Sequence, residues 1–115
     1  MNKKKFSCYN DGVVFVYRDK KNKSNFGAKE NVSVLDDMDF VAKLDFEECS
    51  KREQDIEFAN QNGFSLSLKI KTRLFKAVNK GCKAVIDGYL YDIKDADKTR
   101  EEMFLYLEGV KQIVT

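Results

Sequence analysis

Residues 64–73, FSLSLKIKTR, alternate apolar and polar side chains without a break. Phe64, Leu66, Leu68 and Ile70 fall on one side, and Ser65, Ser67, Lys69 and Lys71 on the other. A period of two is the mark of a strand half sunk in a core, because successive side chains leave a pleated backbone on opposite faces. The segment therefore commits the chain to a sheet, with its lysines expected on the wet face. The pattern recurs upstream, where Phe40, Ala42, Leu44 and Phe46 alternate with Val41, Lys43, Asp45 and Glu47. It recurs again near the C-terminus, where Met103, Leu105 and Leu107 oppose Phe104 and Tyr106. That last stretch holds helix formers too, but its aromatics and the preceding DADKTR run favour a strand.

Turn chemistry supplies the joints. Asn10-Asp11-Gly12 reads as the tight turn of an N-terminal hairpin, since Asn and Gly tolerate positive φ. In the strand that follows, Val13, Phe15 and Tyr17 share one face while Val14, Val16 and Arg18 share the other. The second face is nearly as apolar as the first, so this strand is expected to be central in the sheet or covered on both sides. Asp87-Gly88 predicts a second hairpin, in which a two-residue turn pairs Ile86 with Tyr89. Residues 19–31, DKKNKSNFGAKEN, are polar and aperiodic, and form a long early loop of the kind that carries function. Phe26 is its one large apolar residue, either an anchor for a partner or a side chain folded back onto the protein.

One helix interrupts the β pattern. Ser50-Lys51-Arg52-Glu53 fits a capping box, and Gly63 is placed for a left-handed C-cap, so a helix is expected over residues 51–62. Ile56, Phe58 and Ala59 make a thin apolar stripe. Three turns with so little apolar surface do not stand alone in water, so the helix must lean on the sheet or plug an open end. Its other side, Lys51, Arg52, Glu53, Asp55 and Glu57, is expected to be free for solvent or a neighbouring subunit.

Together these elements predict a mainly β chain: a small antiparallel barrel of six or seven strands, a single domain over residues 1–115, whose closure removes sticky edges. No apolar run is long enough for a transmembrane helix, and MNKKKFSCYNDG lacks the apolar block of a secretory signal, so a protein made in the cytoplasm is expected. Cys8, Cys49 and Cys82 are odd in number and widely spaced, which points to reduced thiols rather than disulfides or zinc. There is no histidine in the sequence, which removes the commonest general base and metal ligand. The six glycines are scattered, with no phosphate-binding loop. No catalytic site, metal site or cofactor is expected.

Charge is segregated along the chain. Lys and Arg against Asp and Glu number eight to three over residues 1–31, three to nine over 32–62 and ten to seven over 63–115. Such segregation produces oppositely charged faces suited to head-to-tail assembly, unless the folded sheet interleaves the segments.

The order of features resembles the small head-closure, or head–tail joining, proteins of long-tailed bacteriophages. The resemblance rests on the acidic helix segment ECSKREQDIEFANQNG, the alternating strand FSLSLKIKTR ending in basic residues, the hairpin KAVIDGYLYDIKDAD and the closing strand EEMFLYLEGV. It runs from about Val32 onward, and more loosely over the first hairpin. Lys3, Lys4 and Lys5 stand where that family is usually arginine-rich, and VSVLDDMDF replaces an aromatic strand. The resemblance implies a structural protein of the virion neck: a homo-oligomeric ring, dodecameric in such proteins, below a portal and its adaptor. The ring retains packaged DNA and offers a docking surface to tail proteins. It also implies that Lys20, Lys21, Asn22, Lys23, Ser24, Asn25, Phe26 and Gly27 form a gating or interface loop. Its lysines would meet DNA phosphates without sequence preference. The Lys51–Glu57 side of the helix would meet neighbouring subunits.

A second reading is a nucleic-acid-binding barrel, with bases stacked on tyrosines beside Lys69, Lys71, Arg73, Lys76, Lys80 and Lys83. Exposed Tyr89, Tyr91 and Tyr106 would favour it, whereas covered tyrosines would favour the joining protein. Another ring of the same neck, such as a tail terminator, shares the first class.

Overall fold

The computed structural model describes residues 9–19 and 38–113. Six strands and one helix follow one another as β1 (Gly12–Asp19), β2 (Met38–Cys49), α1 (Glu53–Gln61), β3 (Leu68–Arg73), β4 (Lys83–Ile86), β5 (Tyr89–Lys98) and β6 (Glu102–Gln112). Every pairing is antiparallel, and the strands close into a barrel in the order β1-β2-β3-β6-β5-β4, with β4 returning to β1. The mainly β barrel with one short inserted helix is thus the architecture of the chain, with six strands among the described residues.

The barrel is filled by its own side chains. Val14 and Val16 of β1, Ile70 of β3, Ile93 of β5 and Met103, Leu105 and Leu107 of β6 are almost wholly buried in one cluster with Ala84 of β4. Val78 and Cys82 join them from the connection between β3 and β4. Those two strands stand three places apart in the ring of six. Their connection therefore crosses one end of the barrel and drops Val78 into it. Asp19 and Met38, which pair with each other, lie at that same end. The Asp87-Gly88 turn marks the other end. There Ile86 pairs with Tyr89 as expected, and both turn residues take positive φ, 50° and 77°, the signature of a type I′ hairpin turn.

α1 lies outside the barrel, over β3 and β6. Phe58 meets the Tyr106 ring at 5.5 Å. The helix ends in a Schellman motif: Phe64 N–H donates to the Ala59 carbonyl at 3.0 Å and Gly63 N–H to the Asn60 carbonyl at 3.2 Å. Gly63 supplies the left-handed residue with φ of 77°, and Phe64 packs edge-on against Phe58, the apolar contact that usually accompanies this cap.

Several expectations are corrected. The helix begins at Glu53 rather than residue 51, and Ser50 does not cap it: Arg52 is the N-cap. Its backbone N–H donates to Asp55 Oδ2 at 2.9 Å, so the reciprocal acid of the box is Asp55 and not Glu53. The alternating segment enters the sheet only at Leu68. Residues 64–67 are instead taken up by the helix cap and by a bond from Ser67 N–H to the Leu107 carbonyl at 2.8 Å. In β2 a register shift opposite Val16 and Tyr17 turns Phe40 outward, to 58% exposure, because an extra residue in one strand reverses the faces beyond it. β1 is central, paired with β2 along one edge and β4 along the other, which is one of the two arrangements expected of it; its outward Phe15 is 37% exposed, since the helix packs on the far side of the barrel. Residues 1–8, which hold all of the first arm of the N-terminal hairpin before Tyr9, and all but the first residue of the 19–31 loop lie outside the described residues.

Candidate functional site

Among the described residues no three Cys, Asp or Glu side chains gather as a metal site. The features that stand out are two outer sides of the barrel and a cleft between them.

The first side is the helix on β3 and β6. Lys69, expected on a wet face, does point outward but is roofed by α1. Its ammonium donates to both oxygens of Asp55 at 3.2 Å, and the two side chains are only 7% and 9% exposed. The same ammonium sits 5.4 Å from the ring centroids of Phe104 and Tyr106, where the electron-rich faces further offset its lost hydration. Burial opposes ionisation of Asp55. The Arg52 N–H and the Lys69 ammonium outweigh it and hold the carboxyl below its usual range. Asp55 is therefore not part of the free helix side expected for it; it is the pin that fastens α1 to β3. Lys51, Arg52, Glu53 and Glu57 are exposed. Lys51 reaches back to the Ser67 carbonyl at 3.2 Å. Neither Glu53 nor Glu57 has a basic partner among the described residues. Ile56, assigned to the buried stripe by spacing, is 45% exposed between them.

The second side was not singled out in the sequence. Cross-strand pairs put Phe15 beside Lys43 and Val85, and Tyr17 beside Phe40 and Lys83, so all six share the outer surface of β2, β1 and β4. Tyr17 and Phe40 meet edge to face at 5.7 Å. Lys43 lies 5.9 Å from the Phe15 ring centroid and has no carboxylate partner among the described residues. The signal was present as the apolar second face of VVFVY, but alternation cannot say which of two apolar faces points inward.

Between the two sides, a cleft of about 370 Å³ separates Phe58, Asn62 and Phe64 from β4 and β5. Its charges are largely paired: Lys83 with Asp92 at 2.7 Å and Lys94 with Glu108 at 3.7 Å.

The basic stretch does not form a continuous cationic surface. Lys69 is buried against Asp55, Lys71 is shared between Glu47 and Glu102, and Lys83 is paired as above. Arg73 lies over the Tyr9 ring. The tyrosines are also mostly covered: Tyr106 lies under the helix, Tyr91 packs against the core, and Tyr89 alone of the three is exposed. Burial pushes the Tyr91 and Tyr106 hydroxyls up. It also raises the Cys49 thiol, against the pull of Lys69 and Lys71. Cys49 and Cys82 are free thiols; Cys8 lies outside the described residues.

Lys20, Lys21, Asn22, Lys23, Ser24, Asn25, Phe26 and Gly27 lie outside the described residues as well. Their segment joins Asp19 to Met38, at the barrel end crossed by the 74–82 connection. No protein-family model and no curated protein sequence matches this chain.

Proposed function

We propose that this chain is a structural joining protein of a tailed bacteriophage, working as a ring of copies in the neck of the particle. The ring holds packaged DNA and presents a surface to the tail. The observation that carries the reading is a closed barrel filled by its own side chains. Its unsatisfied features are a charged helix side and an aromatic strand side, which suit contact with other subunits better than conversion of a small molecule. DNA has no passage through such a barrel and would run through the ring's lumen, between copies. Asp19 and Met38, which flank Lys20, Lys21 and Lys23 in sequence, stand at one barrel end, and in the ring those lysines would meet phosphates non-specifically.

The pairing of Lys69, Lys71 and Lys83 with carboxylates weighs against the nucleic-acid-binding barrel, because a neutralised lysine releases few counterions on binding. Electron microscopy of particles made without this protein tests the reading. Full heads that leak DNA and carry no tails are the expected result; complete particles overturn it. Deleting residues 20–28 is expected to spare ring assembly more than DNA retention, and unchanged retention argues against a gate.

A further inference from the structure

The two outer sides described above are matched in chemistry and opposed in position. We propose that they are the two halves of one head-to-tail interface. The Phe15–Tyr17–Phe40 face with Lys43 on one copy would dock on the Glu53–Ile56–Glu57 side of α1 on the next. The proposal deepens the ring reading, on which it rests.

Position comes first. β1 and β6 stand three places apart in the closed order whichever way it is counted, so they are opposite staves of the barrel. The aromatic face is centred on β1, and the helix lies over β3 and β6. A contact joining opposite sides of one subunit is heterologous: each copy uses one side for the preceding neighbour and the other for the following one. Such contacts generate closed rings or open filaments. A self-complementary patch would give only a dimer.

Chemistry comes second. The β1 side presents exposed Phe15 and Phe40, the latter against half-buried Tyr17, aromatic residues of the type enriched at interface centres, and one cation, Lys43, without a carboxylate partner among the described residues. The helix side exposes one large aliphatic, Ile56, flanked by two carboxylates, Glu53 and Glu57, without basic partners among the described residues. Apolar surface therefore meets apolar surface, and Lys43 is opposite in sign to Glu53 and Glu57. Asp45, opposite Val13 on the same outer surface, would face the basic start of the helix at Lys51 and Arg52. The occupant that fits both the charges and the opposed placement is a second copy of this chain.

Disulfide trapping tests it, because a weak contact still forms a bond at high protein concentration. In a Cys8→Ser, Cys49→Ser background, Phe40→Cys and Ile56→Cys chains are mixed and mildly oxidised. The 40–56 heterodimer is expected in at least about ten-fold excess over a Phe40→Cys with Val110→Cys control. Phe40→Cys/Ile56→Cys in one chain is expected to give a ladder of higher species. Lys43→Glu in the Phe40→Cys chain or Glu57→Lys in the Ile56→Cys chain alone should lower the 40–56 yield about ten-fold, the change expected for about 1.4 kcal/mol, and the two exchanges together, one on each chain, should restore it. A 40–56 yield no greater than the control, a predominance of 40–40 bonds, or no rescue by the double exchange overturns the interface. Any of these outcomes leaves the particle-level test of the ring untouched, and complete particles without the protein would sink the neck assignment while a trapped 40–56 contact still stood.

Discussion

The two outer sides of this barrel carry similar residues to different ends. On β3 and β6, outward Lys69 and Tyr106 are roofed by α1, with Phe104 beside the lysine, and a lysine that would otherwise be solvated becomes half of a buried ion pair. On β1 and β2, outward Phe15, Tyr17, Phe40 and Lys43 combine the same residue types, and a lysine again sits near an aromatic ring, but among the described residues no helix covers them. The difference is the roof and not the composition. It teaches that the energetic weight of a residue here depends on what the one helix reaches: the same pairing of cation and ring is structural under the helix and available for binding away from it.

The largest effect should come from breaking the covered pair. Asp55→Ala leaves the Lys69 ammonium buried without its counter-ion, and removing one partner of such a pair typically costs about 3–5 kcal/mol. Equilibrium denaturation in urea measures this. Lys43→Ala, removing the equivalent cation on the open side, is expected to stay within about 0.5 kcal/mol. Equal losses would erase the distinction between the sides. Replacing both members of the covered pair, as Asp55→Leu with Lys69→Met, should recover most of the stability lost in Asp55→Ala, because two apolar groups need no desolvated charge between them.

The same pair sets an acid limit. The Asp55 carboxyl is held below its ordinary value of 3.8 in the folded chain. A depressed folded value means the contribution is complete above the unfolded value and is lost as pH falls through the folded one. Stability measured from pH 6 downward should therefore drop more steeply in the wild-type protein than in Asp55→Asn, whose side chain does not titrate. Parallel profiles would show that the carboxylate contributes nothing to the acid transition.

A smaller effect belongs to the helix end. Gly63→Ala puts a Cβ into open space, with no atom within 4 Å, so its cost is the left-handed backbone alone, about 1 kcal/mol. A loss well above this would mean that α1 is less securely roofed than the contacts of Phe58 and Phe64 imply. The smallest stability change is expected on the aromatic side. Phe40→Ser should leave the denaturation midpoint nearly unchanged, since the ring is mostly exposed, while reducing self-association at high concentration as read by sedimentation velocity. Loss of fold with association intact would reverse the roles given to the two sides.

Much of the scaffold was legible in the residues. The Asp87-Gly88 turn announced both its hairpin and its register, since only positive φ at both positions closes a two-residue loop with the right twist. Gly63 announced the end of the helix for the same kind of local reason. The Met103, Leu105 and Leu107 alternation resolved a strand against competing helix propensity, and all three are buried in the barrel. The start of the helix was less legible. Ser50 and Glu53 fit a capping pattern, but Asp55 took that place because it could satisfy the Arg52 amide and Lys69 together, and Lys69 is distant in sequence. Phe40 was misassigned because a single bulged residue inverts everything beyond it, and no local residue marks that bulge. The candidate site was legible only in part: the exposed charges of α1 were, and the aromatic side of β1 was not.

From its residues alone, this chain was bound to form strands of period two, joined by tight turns and broken by one capped helix, because those choices depend on backbone sterics within a few residues. Which face of β1 turned inward, where the helix lay down, and hence which lysine was buried and which left available were settled only when distant strands closed on one another. Burial is a property of what packs on a side chain, and no neighbour in sequence supplies it.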